Sequence, residues 1–255
     1  MFPLGTGSGI RERASVKKPQ VFLTAEWKNL LMLNYAVDAA LLQHWLPAGT
    51  ELDFFKGRTY VSLVGFEFKS TRIRGFAIPF HRDFEEVNLR FYIKRPARRG
   101  VVFVRELVPR RAIAATARSL YGENYSCVPM SHAVHSDPVE DTVKAEYSFG
   151  SGASRCSMRV ETEGPAFLPE ENSLSQFITE HFWGYTARTG GGCFEYEVQH
   201  PRWLVRKAKH AEFSGDGARF YGPEFGKVLE QPADSAFLAE GSPVTVFKGC
   251  RVELT

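Results

Sequence analysis

Phe84-Glu85-Glu86-Val87-Asn88-Leu89-Arg90-Phe91-Tyr92-Ile93-Lys94 decides the fold. A period of two sorts it into two faces. Glu85, Val87, Leu89, Phe91 and Ile93 share one face; Glu86, Asn88, Arg90 and Tyr92 share the other. The first is apolar except for Glu85. A carboxylate on such a face has its ionised form disfavoured, which is how a general acid or base is tuned; at a strand end it instead reaches solvent or an arginine. The second face is a polar row. On an outer surface it is merely solvated, and inside a barrel it lines a cavity with donors, acceptors and a charge.

Working outward, Val101–Val108 predicts the next strand, joined to the first by the basic turn Arg95-Pro96-Ala97-Arg98-Arg99-Gly100. Arg105 and Glu106 are adjacent on it and so face opposite ways. Upstream, Phe22–Tyr35 predicts a strand with Trp27, Leu31, Leu33 and Tyr35 on one face. Asp38 caps a short helix, Ala39–Leu46, ended by Pro47. Glu51–Phe55 and Thr59–Ser70 flank the turn Lys56-Gly57-Arg58, and the second strand, apolar on both faces, belongs in a central position. Downstream, Arg110–Tyr121 predicts a helix stopped by Gly122. Strands are expected at Cys127–His135, Val143–Phe149, Arg155–Thr162, Phe194–Gln199 and Thr245–Leu254, with a helix from Ser173 to Thr186. Strands joined mainly by short turns favour an antiparallel sheet, barrel or open cone with two or three packed helices.

The 21 Phe and 9 Tyr among 255 residues suit a strand-rich fold. A net charge of +3 from 32 basic and 29 acidic residues implies no polyanionic partner. Nine arginines and lysines lie between Arg90 and Arg118 with only Glu106 opposing, but they spread over two strands and a helix. The reading therefore disfavours nucleic acid, whose binding would show as a steep salt dependence. Cys127, Cys156, Cys193 and Cys250 form no C-x-x-C motif and fit a reducing compartment. Met1–Pro19 reads as a disordered leader without a signal peptide, and residues 20–255 as one cytoplasmic domain. No stretch approaches the roughly 18 apolar residues of a membrane span.

No phosphate loop, dinucleotide fingerprint, G-x-S-x-G elbow or H-E-x-x-H motif is present. His132 and His135, three apart on a strand, face opposite ways, so no metal or other cofactor is expected. Arg110 and Arg111 open a helix whose positive end disfavours cations. Either Glu106 or an anionic ligand balances them. His181 falls on the apolar stripe Leu174, Phe177, Ile178, Tyr185 and reads as a core histidine. His81, in the loop before the glutamates, is better placed for function.

Residues 79–95, PFHRDFEEVNLRFYIKR, and 98–125, RRGVVFVRELVPRRAIAATARSLYGENY, resemble the YqjF-like bacterial family, a domain of unknown function. AEWKNLLMLNYAVD from Ala25 and PAGTELD from Pro47 resemble it too. That family is similar to the acetoacetate decarboxylase-like superfamily. The resemblance implies an α+β fold, a mostly antiparallel β-cone or barrel with a central cavity and a few helices packed outside. It also implies that the Glu85-Glu86 strand lines that cavity. The decarboxylases carry a Gly-x-Pro-Lys run whose lysine forms a Schiff base; the matching stretch here is Gly122-Glu123-Asn124-Tyr125. Tyr125 takes the lysine's place, and no lysine occurs between Lys94 and Lys144. A Schiff base needs an amine, so acetoacetate decarboxylase activity is not expected.

The first expectation is a cavity that binds a small organic anion, with general acid/base chemistry. Glu85 or Glu86 serves as acid/base, Tyr125 as hydrogen-bond donor, and Arg90, Arg118, His81 and Arg105 are the ligand-binding candidates. The second is a non-catalytic binding or sensory module on the same cavity. Substrate identity stays open, and a homo-oligomer is compatible with either.

Overall fold

The computed structural model describes residues 19–115, 122–188 and 191–252. Among them, Val21–Val37 forms strand β1, and its two halves present different faces. Leu31, Leu33 and Tyr35 pack into one core cluster, whereas Trp27 packs with Leu30 and Met32 into another. A bulge between Lys28 and Leu31, with Asn29 at φ 54°, inserts the residue that breaks the alternation. The single face expected for Trp27, Leu31, Leu33 and Tyr35 is thereby corrected.

Asp38 caps α1 (Ala39–Leu42) by accepting from the Ala40 amide, and a 3-10 turn, Gln43–Trp45, completes the expected helix. β2 is only Glu51–Leu52. Lys56 and Gly57 both have positive φ, the geometry of a tight hairpin turn, and lead into β3 (Thr59–Ile73). β3 is buried on both faces over its first ten residues, because it lies between β1 and β5. After the short β4 (Phe76–Ala77) come β5 (Phe84–Arg95) and β6 (Arg98–Val108), joined at Pro96-Ala97.

Helical backbone starts at residue 111 and continues to 115; the rest of the expected helix, with Arg118, lies outside the described residues, as does the leader up to residue 18. The stretch expected as one strand is two, β7 (Tyr125–Cys127) and β8 (Met130–Asp137). β9 (Thr142–Phe149) and β10 (Cys156–Phe167) form the expected hairpin. Ser173 caps α2, which ends at Thr179 rather than Thr186. Trp183–Ala187 is a strand, β11, because it is drawn into parallel pairing with β6. β12 (Cys193–Gln199) and β13 (Val205–Ser214) follow, then α3 (Ala218–Tyr221) and α4 (Pro223–Leu229). The chain closes on β14 (Ser235–Phe247) and β15 (Cys250–Val252), two strands where one was expected.

The fifteen strands among the described residues belong to one mostly antiparallel sheet. Pairing runs β12-β11-β6-β5-β3-β1-β14, and β14 pairs again with β12 at Val198↔Val246 and Gln199↔Thr245. A wing, β13-β10-β9-β8, extends from β14. The apolar row of β5 (Val87, Leu89, Phe91, Ile93) packs with Tyr147, Phe149 and Met158 of that wing. The opposite row shares its face with Val64, Phe66 and Trp203, which line a cavity. Among the described residues, no helix is long and apolar enough to cross a membrane.

Candidate functional site

The cavity, about 180 Å³, is where the polar row of β5 points. Glu86, Asn88 and Arg90 all line it, and all are buried. Register builds the rest of the wall. β5 pairs with β6 so that Asn88 stands opposite Glu106, and β7 runs parallel to β6 with Tyr125 beside Glu106. Asn124 locks that edge: its carbonyl accepts from the Glu106 amide and its side chain donates to the Val104 carbonyl. Glu123 is thereby carried into the wall as well, where it accepts from the Tyr196 hydroxyl of β12.

The result is an end of the cavity with three buried carboxyl groups. Glu86 accepts from Asn88 Nδ2 at 2.9 Å and from the Tyr125 hydroxyl at 3.2 Å. Burial drives its pKa up to about 7, against the pull of those two bonds and of the Arg90 charge. Burial carries Glu123 up to about 8, with the Glu86 charge adding to it. Glu106 is held well above the usual carboxylate range by burial and by the charges of Glu123 and Glu86. Tyr125 is pushed up by burial and by the same carboxylates, so it stays a donor. Like charges this close cannot all ionise, and Glu86, with two donors, is the carboxyl that ionises most readily.

The other end is cationic and imidazole-rich. Arg90 is 9% exposed. Its Nη2 makes one long bond, 3.5 Å, to the Ile178 carbonyl, and its Nε has no partner. Among the described residues it forms no ion pair within 4 Å. His181, just beyond α2, donates from Nε2 to Asp53 Oδ2 at 3.1 Å, and Arg99 donates to the same oxygen at 2.6 Å. Burial pushes Asp53 up, but the bonds from His181 and Arg99 outweigh it and leave the carboxyl below its ordinary value. Burial takes His181 down to about 4. An ionised Asp53 facing a neutral imidazole fixes the proton on Nε2, so Nδ1 is an acceptor. It has no partner and belongs to a residue lining the cavity.

The sequence candidates separate accordingly. Glu86, Tyr125 and Arg90 meet in the cavity, and His81 reaches its rim with Ile78 and Ala112, the exposed lining residues. Glu85 does not join them. It lies on the opposite face and meets His132 Nδ1 at 2.8 Å, while the same ring's Nε2 meets Glu67 at 3.0 Å. Arg105 also points away from the cavity, with Leu89 as its cross-strand partner. Arg110 and Arg111 are exposed, and Glu106 turns into the cavity rather than balancing them. Arg95 and Arg98 both bind Glu195.

Glu106, Glu123, Asn88, His181 and Tyr196 complete the site without having been singled out for it. Asn88 was legible in the polar row, but Glu123 and Tyr196 are joined by long-range pairing that carries no local signal. His181 reads as part of a helical stripe only while α2 is assumed to continue past Thr179. Among the described residues no lysine lines the cavity.

A family model described as an uncharacterised conserved protein, DUF2071, matches residues 24–243. The uncharacterised protein YqjF of Bacillus subtilis (strain 168) is 28% identical over 189 residues, covering 74% of this chain and 76% of that one. Among solved structures, the enduracididine biosynthesis enzyme MppR complexed with pyruvate has a TM-score of 0.66 at 12% identity, over 98% of both chains. The acetoacetate decarboxylase of Legionella pneumophila also has 0.66, at 11% identity, over 99% of this chain and 98% of that one. Likenesses at such identity show a shared acetoacetate decarboxylase-like fold.

Proposed function

This chain belongs to the DUF2071 family, and from that premise we propose that it binds a small organic anion in its central cavity, with the carboxylate on Arg90 and Glu86 as acid/base. The returning path of strand pairing is read as a closed β-cone around that cavity. The observation that carries the proposal is Arg90, a buried guanidinium lining the cavity without an ion-pair partner among the described residues. A buried charge is costly unless paired, so an anionic ligand is the complement this wall lacks. MppR was crystallised with pyruvate, a small carboxylate, which supports the class of ligand.

Glu86 gives the site its reactive potential. A carboxyl with a pKa of about 7 exchanges a proton readily near neutrality. Tyr125, held protonated beside it, donates a hydrogen bond where negative charge develops. A lining without lysine favours a second reading, a binding or sensory module that leaves its ligand unchanged. Four free thiols, with Cys127 and Cys250 exposed, fit a reducing cytoplasm.

Calorimetry with pyruvate and acetoacetate tests the anion site. Binding that disappears in Arg90→Gln is expected; binding that survives the substitution would refute it. Nuclear magnetic resonance of the same mixtures separates the two readings. Turnover abolished by Glu86→Gln marks an enzyme, and an unchanged bound ligand marks a module.

A further inference from the structure

The unpartnered polar atoms of the cavity divide by chemistry as well as by place. Arg90 Nε is a donor without an acceptor. Asn88 Oδ1 is an acceptor without a donor, and Glu106 Oε2, likewise unpartnered, becomes one when a cation ionises that carboxyl; both residues are 2% exposed. The Asn88 amide is oriented by its own donation to Glu86, which leaves its oxygen free to receive. Asn88 and Glu106 are cross-strand partners, so their two orphan acceptors are neighbours, with Glu86 beside them. Buried polar groups are ordinarily satisfied, and each orphan states which group is wanted next to it.

We propose that the ligand is an ω-amino carboxylate, its carboxylate on Arg90 and its ammonium among Asn88, Glu86 and Glu106. This rests on the anion reading above and specifies the other end of the molecule. An ammonium has three donors and no acceptor, which matches two orphan acceptors and a carboxylate. Its charge also answers the electrostatics of that end, where three buried carboxyls repel one another's ionisation and a cation lets one or more ionise. Asn88, with Glu106 opposite it, stands two residues from Arg90 on β5 and Glu86 stands four, about 7 and about 13 Å between Cα atoms at roughly 3.3 Å per residue. The two charges are therefore separated by several methylene groups rather than carried on one carbon. The wall between suits such a linker, because Val64 and Phe103, the cross-strand partners of Asn88 and Arg90, give it an apolar lining.

Matched ligands of four, five and six carbons test this on the unmodified protein. Calorimetry at pH 7 compares each straight-chain carboxylate with its ω-amino acid and with the corresponding alkylamine. The expected result is that at the best-fitting length the ω-amino acid binds at least tenfold more tightly than the carboxylate, and the alkylamine more weakly than both. Glu106→Gln should shrink that advantage, read as the ratio of ω-amino acid to carboxylate affinity, and an unchanged ratio would count against the ammonium site. Carboxylates that bind as well as or better than their amino counterparts at every length would overturn the zwitterion and leave the anion site standing. An alkylamine that matches the ω-amino acid, or no binding by any of the three classes, would overturn both.

Discussion

The Tyr125 hydroxyl lies 3.2 Å from Glu86 Oε2 and donates to it, joining β7 to β5 over the intervening β6. It stands where the decarboxylase-like resemblance places a lysine, and the surroundings explain why a lysine alone would not restore that chemistry. An amine there would sit among Glu86, Glu106 and Glu123, whose negative charge stabilises its protonated, non-nucleophilic form. Tyr125→Lys is therefore expected to give no Schiff base. Incubation with acetoacetate and borohydride should leave the protein mass unchanged in both wild type and variant. A trapped adduct in the variant would show that the site can activate an amine.

Adjacent glutamates should differ sharply. Glu85 is a partly exposed carboxylate paired with His132 on the side away from the cavity. Glu85→Gln should cost no more than about 1 kcal/mol, the usual range for such pairs, and leave ligand affinity unchanged. Glu86→Gln removes the carboxyl that titrates near neutrality, and should flatten the pH dependence of binding or turnover between pH 6 and 8. Equal effects of the two substitutions would contradict the geometry.

This contrast also measures what was legible in the sequence. A period of two split Glu85 from Glu86 correctly, because backbone alternation is local and strict. Which face is enclosed is not local: it depends on β1, β3 and β6 arriving in register, so the polar row could equally have been solvated. The same limit applies to Trp27, where one positive-φ residue, Asn29, reverses the face of everything before it. Ser173 was legible as a cap, since its side chain bonds its own helix. The end of that helix was not, since Trp183–Ala187 becomes a strand by pairing along its whole length with β12 and in part with Gly100–Val102, some eighty residues away.

The buried carboxyls predict how stability varies with pH. Glu86 and Glu123 have folded pKa values of about 7 and about 8, against roughly 4.3 for an exposed glutamate. Above that ordinary value the unfolded chain has released these protons while the folded chain keeps them, so stability falls as pH rises. The loss runs from about pH 4.5 until the folded groups ionise near pH 8, and amounts to a few kcal/mol for each group at about 1.4 kcal/mol per pKa unit. Neither His181 nor His200 masks this above pH 7, because folded values of about 4 leave both neutral there in both states. Urea unfolding at pH 7 and 8.5 should show lower stability at the higher pH. Glu123→Gln should reduce that slope by roughly one proton.

Arg90 is predicted to cost stability that its ligand returns. Arg90→Met keeps a long side chain and removes a buried charge, so the unfolding free energy of the ligand-free protein should rise by on the order of 1 kcal/mol. Carboxylate affinity should vanish in the same variant. A destabilised Arg90→Met protein would mean that the guanidinium is satisfied internally and is not held for a ligand.

Gly184 is predicted to be a positioning residue for the acidic end of the cavity. A Cβ built there would lie 2.2 Å from Tyr196 Cζ and 2.5 Å from its hydroxyl. Its backbone is not in the left-handed region, so the constraint is one of space alone. The missing side chain lets the Tyr196 ring cross β11 closely enough to reach Glu123. Gly184→Ala should push that ring away, at a cost of about 1–3 kcal/mol for overpacking. It should also raise the Glu123 pKa further, since the bond from Tyr196 favours the ionised form. In a Tyr196→Ala background the added methyl has room, so the second substitution should cost much less. A double-mutant cycle with a coupling of about 1 kcal/mol or more would confirm the contact. Additive effects would place the ring elsewhere and leave Glu123 without its donor.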